Sequence, residues 1–302
     1  MTSRQLDEYL ATKRREIDAA LRQAIPASWS VPDKLREAAE YSLFAGGKRL
    51  RPILVLAAAE AVSGDGAAAA RALPFATAVE LVHTYSLIHD DLPAIDNDDT
   101  RRGHPTNHVK FGEAMAILAG DGLLTHAFHV ATQAVRHGVS ADRTLAFIGE
   151  LSRDAGFAGM VGGQVEDIFG MQGITTMEQL ASIHQRKTGD LIMCSLRGGG
   201  HAAEANEREL EALGQFGRNV GLAFQIQDDI LDLIGDEAKL GKPVRSDVEQ
   251  EKVTFPYLIG LDASRDRVRL LTEEAKEALI GAGLTDPSML IAIADRMMAR
   301  DH

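Results

Sequence analysis

Two adjacent aspartates end an apolar helical run in the stretch Leu87-Ile88-His89-Asp90-Asp91-Leu92-Pro93-Ala94-Ile95-Asp96. On an unbroken helix, at about 100° per residue, Asp90 and Asp96 would point about 120° apart. Pro93 removes a backbone donor and disfavours a helical conformation at the residue before it, so we expect the helix to end or unwind here. Asp96 can then turn back toward the aspartate pair.

A second aspartate cluster, Asp228-Asp229-Ile230-Leu231-Asp232, follows another apolar helical run. Its first and last members are four residues apart, which places them on one face of a regular helix. Two unit charges about 4 Å apart repel by about 4 kcal/mol at an effective dielectric of about 20, so carboxylates that converge on one cavity imply cations between them. Carboxylate oxygens without Cys or His favour Mg²⁺ shared with substrate phosphates. Either cluster alone is typical of a solvated acidic helix end, whereas the two together favour a metal site.

The hydrophobic pattern predicts an all-α protein with a single domain over residues 1–302. Alanine is abundant, β-branched runs are short, and neither alternating strands nor a hairpin dipeptide between apolar runs is present. Coiled-coil heptads are also missing, so we expect the helices to surround a cavity. The predicted helices cover 3–24, 33–45, 52–62, 67–90, 113–136, 141–154, 177–197, 206–234, 265–282 and 287–300, with a loop over 96–112 and glycine-rich joints at 159–163 and 198–200.

Charge and cysteine content narrow the function. The net charge of -12 argues against nucleic acid as a partner, because affinity for nucleic acid depends on many Lys and Arg contacts to phosphate. The lone Cys194 excludes an internal disulfide framework and suits a reducing cytoplasm. The N-terminus is too charged for a signal peptide, and we expect no apolar run to span a bilayer.

Positive charge is concentrated in a few short segments. Gly46-Gly47-Lys48-Arg49-Leu50-Arg51-Pro52 carries three cations in four residues, but it is not a Walker A loop because the first Gly and the Ser or Thr after Lys are missing. It fits either favourable charge at a helix C-terminus or a diphosphate clamp, since Arg binds phosphate oxygens bidentately. The other segments are Arg101-Arg102-Gly103, Lys187-Thr188-Gly189, Gly241-Lys242 and Lys252.

One diphosphate would not need two aspartate clusters and so many cations. Metal ions with Arg101 suit one anion, and Lys48, Arg51 and Arg102 suit another. The sequence therefore predicts two diphosphate substrates bound side by side. His83 stands on the helix before the first cluster, where a lone histidine is more often a packing residue than a chemical one.

These segments, taken in order, resemble the trans-isoprenyl diphosphate synthase family, and the resemblance covers roughly residues 40–260. It also includes His83-Thr84-Tyr85-Ser86, Gly162-Gly163-Gln164, Ile183-His184, Phe224-Gln225 and Gly241-Lys242-Pro243. The family implies the all-helical isoprenoid synthase fold around a deep central cavity, usually as a homodimer. It also implies head-to-tail condensation of isopentenyl diphosphate with an allylic diphosphate, dimethylallyl or geranyl, dependent on Mg²⁺ or Mn²⁺.

The resemblance assigns roles position by position. The metal ligands would be Asp90, Asp91, Asp96, Asp228 and Asp232, with Asp232 acting through water. The resemblance supports Asp229 as a ligand only weakly. Gly47, Lys48, Arg51, His83 and Arg102 would bind isopentenyl diphosphate. Arg101, Lys187 and Lys242 would bind the allylic diphosphate, with Lys252 nearby. Thr188 and Gln225 would face the reacting carbon, and Asp90, Asp91 and Lys187 would share in catalysis with them.

Tyr85 stands five residues before Asp90, about 7.5 Å along the axis. Its ring should act as a floor under the growing hydrocarbon, and the alternative is that it simply packs between helices. With Ser86 beside it, the resemblance favours farnesyl diphosphate as the product, and geranylgeranyl diphosphate is the alternative.

Three residues depart from the family pattern: Thr100, Asp190 (a negative charge near a diphosphate clamp) and Arg245.

Four other functions are less consistent with the sequence. A metal phosphohydrolase would use histidine ligands, and the second cluster has none. A non-catalytic subunit of a heteromeric synthase should have lost aspartates or clamps. A class I terpene cyclase would not need Lys48 and Arg51. Calcium binding at Asp96-Asn97-Asp98-Asp99 lacks the Gly and Glu that the loop requires.

Overall fold

The computed structural model describes residues 2–170, 173–174, 176–234 and 253–299. Lys242, Lys252 and Arg245, with Gly241 and Pro243, lie outside the described residues. The predicted roles of these residues therefore stay predictions.

The all-α prediction is confirmed. The helices are α1 (Ser3–Ala24), α2 (Asp33–Leu43), α3 (Leu50–Ser63), α4 (Gly66–Asp90), α5 (Asn107–Phe111), α6 (Glu113–Thr132), α7 (Ala141–Ala155), α8 (Met160–Gly170), α9 (Met177–His184), α10 (Asp190–Ala202), α11 (Glu207–Ile234), α12 (Phe255–Ile259), α13 (Leu261–Ala282) and α14 (Ser288–Met298). A 3₁₀ turn, Gln133–His137, follows α6, and a π-helical turn, Gln185–Gly189, joins α9 to α10.

Helix α4 forms the centre of the fold. It is buried on nearly all sides and contacts α1, α3, α6, α7 and α10. A helix that is apolar all round belongs inside a protein, and the run from Ala68 to Ile88 has this character. The core therefore holds α4 firmly and presents its C-terminal end, which carries Asp90, at the site.

Helix α11 presents the second aspartate cluster at its own C-terminal end. It packs along α10 and α13, and Leu213, Phe216 and Val220 bury its inner face. Its last two turns contain Asp228 and Asp232. Two long, well-packed helices thus carry the two clusters.

The glycine-rich joint predicted at 198–200 is wrong, and the one predicted at 159–163 holds only at Gly159, which lies in the turn between α7 and α8. Gly162 and Gly163 lie inside α8, and Gly198 to Gly200 lie inside α10. A Cβ on Gly199 would lie 2.7 Å from the Ala58 Cβ of α3. These glycines let neighbouring helices approach closely, and the packing outweighs the about 1 kcal/mol that glycine costs in a helix.

Two other local predictions also need correction. The helix predicted over 177–197 is interrupted by the π turn Gln185–Gly189. The loop predicted over 96–112 contains α5 and a two-residue antiparallel hairpin, Thr100–Arg101 with His104–Pro105. Arg102 and Gly103 form its turn with positive φ angles of 54° and 78°. A hairpin this short leaves no alternating pattern in the sequence.

One helix within the described ranges, Glu113–His137, is long and apolar enough by composition to cross a membrane. No such run was expected from the sequence. Helix α6 buries Leu123 and Ala127 in the core beside α4, so part of its apolar composition reflects packing inside the protein.

Candidate active site

The first aspartate cluster folds as the sequence predicts. Helix α4 ends at Asp90, and the chain turns back so that the Asp96 amide donates a hydrogen bond to the Asp90 carbonyl at 2.9 Å. Burial raises the pKa of the Asp90 carboxyl to about 6, against the attraction of Lys187 and with repulsion from Asp96 and Asp91. The turn therefore gathers negative charge that is only partly compensated.

Asp91 has a different environment from Asp90. It is buried, and Arg101 holds it with Nη2–Oδ1 at 2.6 Å and Nε–Oδ1 at 2.8 Å. A bidentate pair of this kind fixes the guanidinium geometrically. Asp91 thus orients Arg101, the residue that the resemblance assigns to the allylic diphosphate, in addition to its predicted metal role.

The three aspartates of the second cluster separate into two groups. Asp229 is buried, and its Oδ2 accepts a hydrogen bond from the Phe255 amide at 2.9 Å and lies 3.4 Å from His184 Nε2. Asp229 therefore ties α11 to α12 and α9. Asp228 and Asp232 share another face of α11, about 100° round the axis.

The carboxylates fit a divalent ion that is shared with a substrate. Among the described residues, no three His, Cys, Asp or Glu side chains come close enough to hold a metal ion by themselves. The donors are all hard oxygens, and Mg²⁺ typically takes one or two carboxylates together with substrate phosphates. This donor set suits magnesium that arrives with a diphosphate.

The π turn presents Lys187 to the first cluster. Lys187 Nζ lies 2.6 Å from Asp167 Oδ2 on α8. Burial would lower the pKa of Lys187, but Asp167, Asp90 and Asp96 hold it above its ordinary value. Lys187 is therefore a firmly charged group beside the aspartate turn, and π turns frequently occur at functional sites.

The π turn and helix α11 cross closely near Thr188 and Gln225. A Cβ on Gly221 of α11 would lie 2.7 Å from Gly189 Cα in the π turn. Thr188 directly precedes Gly189, and Gln225 follows Gly221 by one helical turn on the same face. The glycine pair thus lets the π turn and α11 approach closely at a point that adjoins both Thr188 and Gln225.

A basic cavity of about 650 Å³ opens beside the end of α4. It lies between α1, the α2–α3 loop, α4, the hairpin and α11. The lining residues are Arg14, Ala45, Gly46, Gly47, Lys48, Arg49, Leu50, Arg51, Glu80, His83, Arg102 and Phe224. The structure therefore gathers Gly47, Lys48, Arg51, His83 and Arg102 into one wall, as predicted from the sequence.

Arg49 and Glu80 support this wall from below. Arg49 is buried and donates to Asp18 at 2.9 Å, to Glu80 at 2.6 Å and to the Leu43 carbonyl at 2.5 Å. Burial raises the pKa of Glu80, and Arg49 and then Arg51 oppose the shift. Arg49 is thus committed to the protein, which leaves Arg51 and Arg102 to face an anion.

Arg51 and His83 are poised for a negative charge. Burial lowers the pKa of Arg51 although Glu80 and Asp228 attract it, and its buried Nε has no hydrogen-bond partner among the described residues. Burial and the surrounding arginines hold the pKa of His83 well below its ordinary value. An entering diphosphate would supply the missing acceptor for Arg51.

Gly47 allows Arg102 to reach the cavity. It has a φ of 127°, and a Cβ there would lie 2.6 Å from Arg102 Nη1. The Arg102 guanidinium also donates to the Gly46 carbonyl. The residue at position 47 must therefore be glycine for the hairpin to close over the α2–α3 loop.

Comparison with known proteins decides the family. The sequence model described as "Polyprenyl synthetase" matches residues 32–279. This chain belongs to the polyprenyl synthetase family. It is 45% identical over 297 residues to the farnesyl diphosphate synthase of Bacillus subtilis, covering 98% of this chain and 99% of that one. The synthetase is 43% identical to the farnesyl diphosphate synthase of Geobacillus stearothermophilus over 100% of both chains.

Solved structures agree with this assignment. The geranylgeranyl pyrophosphate synthetase of Pyrococcus horikoshii superimposes with a TM-score of 0.87 at 33% identity, covering 98% of this chain and 99% of that one. The predicted resemblance and the isoprenoid synthase fold are therefore confirmed for this synthetase.

Tyr85 and His89 form an edge-to-face aromatic pair beside α6 in this synthetase. Tyr85 is buried, and its ring meets the His89 ring edge to face at 5.7 Å. His89 Nε2 lies 3.1 Å from the Ile117 carbonyl, and a Cβ on Gly120 would lie 2.5 Å from His89 Cδ2. Ser86 is one residue on, and its hydroxyl donates to the His83 carbonyl. The Tyr85 ring therefore rests on a tightly packed support.

Two of the departures from the family pattern have a structural account. Asp190 accepts a hydrogen bond from Gln185 at 3.0 Å, and burial raises its pKa to about 6 with further influence from Asp154 and Arg153. Asp190 is therefore held by Gln185, and the carboxylate paired with Lys187 is Asp167. Thr100 is exposed, so the small side chain leaves no cavity.

Three residues near the candidate site were not predicted as site residues from the sequence. Asp167 lies twenty residues from Lys187 and has no local signal. Glu80 is the one charge in the apolar run Ala76–Val82, which was a usable signal because a buried carboxylate needs a partner. Gln164 lies in one of the segments that carry the resemblance, and both polar atoms of its amide are buried with no hydrogen bond among the described residues.

Proposed function

We propose that this synthetase is a farnesyl diphosphate synthase, which joins isopentenyl diphosphate head to tail to dimethylallyl or geranyl diphosphate. The observation that carries the proposal is the pair of distinct anion-binding regions. Lys187 faces the aspartate turn of Asp90 and Asp96, whereas Arg51 and Arg102 line a separate basic cavity. A reaction between two diphosphates needs two such regions side by side.

The metal-binding residues would be Asp90, Asp91, Asp96, Asp228 and Asp232. Bound Mg²⁺, or Mn²⁺ in its place, would neutralise the charge that develops on the departing diphosphate. The allylic diphosphate would be bound by Arg101 and Lys187 and by the sequence-assigned Lys242, with Lys252 near the same region. These cations stabilise the leaving group without having to rearrange, since Asp91 and Asp167 already orient Arg101 and Lys187.

Loss of the diphosphate leaves an allylic carbocation, which must be stabilised but not trapped. The Thr188 hydroxyl and the Gln225 carbonyl supply dipoles for this purpose. Thr188 is buried in the π turn, which keeps water away from the cation. The isopentenyl double bond then forms the new carbon–carbon bond, and the released diphosphate takes the proton that is lost.

The isopentenyl diphosphate would lie in the basic cavity. Lys48, Arg51 and Arg102 supply positive charge, and Gly47 lets the loop and hairpin close together. His83 is neutral when the site is empty of substrate, and an adjacent diphosphate would favour its protonation. This arrangement binds the second substrate without the metal ions.

The experiment that tests the reaction uses labelled isopentenyl diphosphate with geranyl diphosphate. Transfer of label into a longer prenyl diphosphate, abolished by EDTA and restored by Mg²⁺, is the expected result. Release of inorganic phosphate or diphosphate without a condensed product would contradict the proposal and favour the metal-dependent phosphohydrolase.

The second candidate function is geranylgeranyl diphosphate synthesis. The structural similarity to the Pyrococcus horikoshii enzyme supports it, because the same fold serves the longer product there. Tyr85 favours the shorter product, since a buried aromatic ring near the end of α4 limits the space for a chain. Farnesyl diphosphate is therefore the first choice.

We further propose that the synthetase is a homodimer. Three neighbouring helices, α6 to α8, expose large apolar side chains on the surface. Leu118 of α6 is 56% exposed, Leu145 of α7 66%, and Phe157 in the turn between α7 and α8 96%, which is typical of a surface that is covered by another protein. The variant Leu145→Glu should shift the mass measured by light scattering from dimer to monomer. A monomeric wild type would contradict the proposal.

The proposed location is the cytoplasm, with no stable insertion into a membrane. Cys194 is buried and reduced, and burial raises the pKa of its thiol, which suits a reducing compartment. The apolar helix Glu113–His137 carries part of the proposed dimer surface, which accounts for its exposed apolar side chains. Fractionation of cells should recover the protein in the soluble fraction.

A further inference from the structure

The N-terminal helix contributes a cation to the basic cavity. Arg14 of α1 lines the same cavity as Arg51 and Arg102. Ile17 and Leu21 bury the inner face of α1 in the core, so the helix is fixed beside the cavity. We infer that Arg14 is an additional binding residue for the diphosphate group of isopentenyl diphosphate. This inference rests on the proposed function of the cavity.

Arg14 lies outside every segment discussed so far for substrate binding. The family match begins at residue 32, and the motifs that carry the resemblance begin at residue 46. The position is therefore identified by the fold, which brings α1 across the mouth of the cavity. A sequence comparison restricted to the matched region would not find it.

The charges around Arg14 leave it available for an anion. Its nearest carboxylate is Asp18, with Nε–Oδ2 at 3.7 Å, and half of the Arg14 side chain is exposed. Asp18 is also held by Arg49 at the shorter distance of 2.9 Å. An exposed ion pair at such a distance contributes little to stability, so a multiply charged diphosphate can displace Asp18.

Arg14 also acts on the other cations of the cavity. Burial lowers the pKa of Arg102, and the positive charges of Arg49, Arg101 and Arg14 lower it further. Mutual repulsion of this kind is relieved when an anion enters between the cations. Arg14 and Arg102 thus line the same cavity, one from α1 and one from the hairpin.

The test measures binding of isopentenyl diphosphate by calorimetry in the presence of EDTA, with the full-length protein. Arg14→Ala should raise Kd about fivefold, with a larger effect at low salt. Arg14→Lys should keep most of the affinity. The matched control is Arg15→Ala, because Arg15 is the next residue on α1 and contacts Thr12 rather than the cavity. It should leave Kd unchanged.

Kinetics and stability separate binding from a structural role. Arg14→Ala should raise KM for isopentenyl diphosphate, with unchanged KM for geranyl diphosphate and unchanged melting temperature. An unchanged Kd, equal effects on both substrates or a lower melting temperature would overturn the inference. Arg51→Ala separates the role of Arg14 from the assignment of the cavity to isopentenyl diphosphate. If it abolishes binding while Arg14→Ala has no effect, the role of Arg14 is wrong and the cavity assignment stands; if neither variant weakens binding, the cavity assignment fails as well.

Discussion

Gly163 of α8 lies directly against the backbone of Lys187: a Cβ on Gly163 would lie 2.8 Å from Lys187 Cα and closer still to its amide nitrogen. The same helix carries Asp167, which holds the Lys187 ammonium at 2.6 Å. Backbone and side chain of Lys187 are thus both positioned by α8. The geometry of the cation beside the aspartate turn depends on this contact.

The variant Gly163→Ala should displace the π turn and with it Lys187 and Thr188. A displacement of about 1 Å in a catalytic site can cost about 100-fold in rate, so we expect turnover to fall by about that factor. The control is Gly281→Ala, because a Cβ on Gly281 of α13 has nothing within 4 Å. Steady-state kinetics on both variants check the prediction, and equal activities would contradict the role of Gly163.

The aspartates of the two clusters should differ in what they support. Asp90→Ala or Asp228→Ala should lower turnover by several orders of magnitude with the fold intact, because the metal ions lose ligands. Asp229→Ala should lower the free energy of unfolding by about 1–3 kcal/mol, because the buried Phe255 amide loses its acceptor. Kinetics with urea unfolding separates the two effects, and near-normal turnover of Asp90→Ala or Asp228→Ala would contradict the two-cluster account.

The two anion-binding regions should respond to different substitutions. Arg51→Ala should mainly raise KM for isopentenyl diphosphate, because Arg51 lines the basic cavity. Lys187→Ala should mainly impair use of the allylic substrate, because Lys187 faces Asp90 and Asp96. Initial rates with each substrate varied in turn give both constants. The assignment is wrong if both variants raise KM for the same substrate.

Product length should depend on the aromatic floor at the end of α4. Tyr85→Ala should shift the products toward twenty carbons, because it removes the ring that limits the chain. Ser86→Phe should shorten them to ten carbons by adding a ring one residue on. Chromatography of the dephosphorylated products measures the distribution, and an unchanged distribution in both variants would show that the floor lies elsewhere.

The packing beneath Tyr85 allows a second test of the aromatic floor. Gly120→Ala would push His89 away from α6, since a Cβ there would lie 2.5 Å from His89 Cδ2. The Tyr85 ring rests on His89, so the floor should loosen and the share of longer product should rise while condensation continues. If condensation is lost and the share of longer-chain product does not rise, the variant has instead damaged the neighbouring Asp90.

The sequence was sufficient where a local rule applies. Pro93 predicted the end of α4 and the return of Asp96 toward Asp90, because proline acts on its own neighbourhood. The grouping of Lys48, Arg51 and Arg102 followed from the chemistry of a diphosphate. In each case the physical cause lies within a few residues or in one shared ligand.

The sequence was insufficient where distant segments meet. Glycines at 198–200 look like a helix break, yet they lie inside α10 because α3 packs against them. Asp167 meets Lys187 through the packing of α8 on the π turn, and Arg14 reaches the basic cavity through the placement of α1. No local pattern encodes such contacts, so they became visible only in the fold.

The central claim is that two diphosphates bind side by side and are joined into a chain of fifteen carbons. It is tested most directly by incubating the purified protein with isopentenyl diphosphate, geranyl diphosphate and Mg²⁺, followed by mass spectrometry of the prenyl diphosphates formed. The account predicts farnesyl diphosphate as the main product. Geranylgeranyl diphosphate as the main product would contradict the role of Tyr85, and the absence of any condensed product would contradict the two-site account itself.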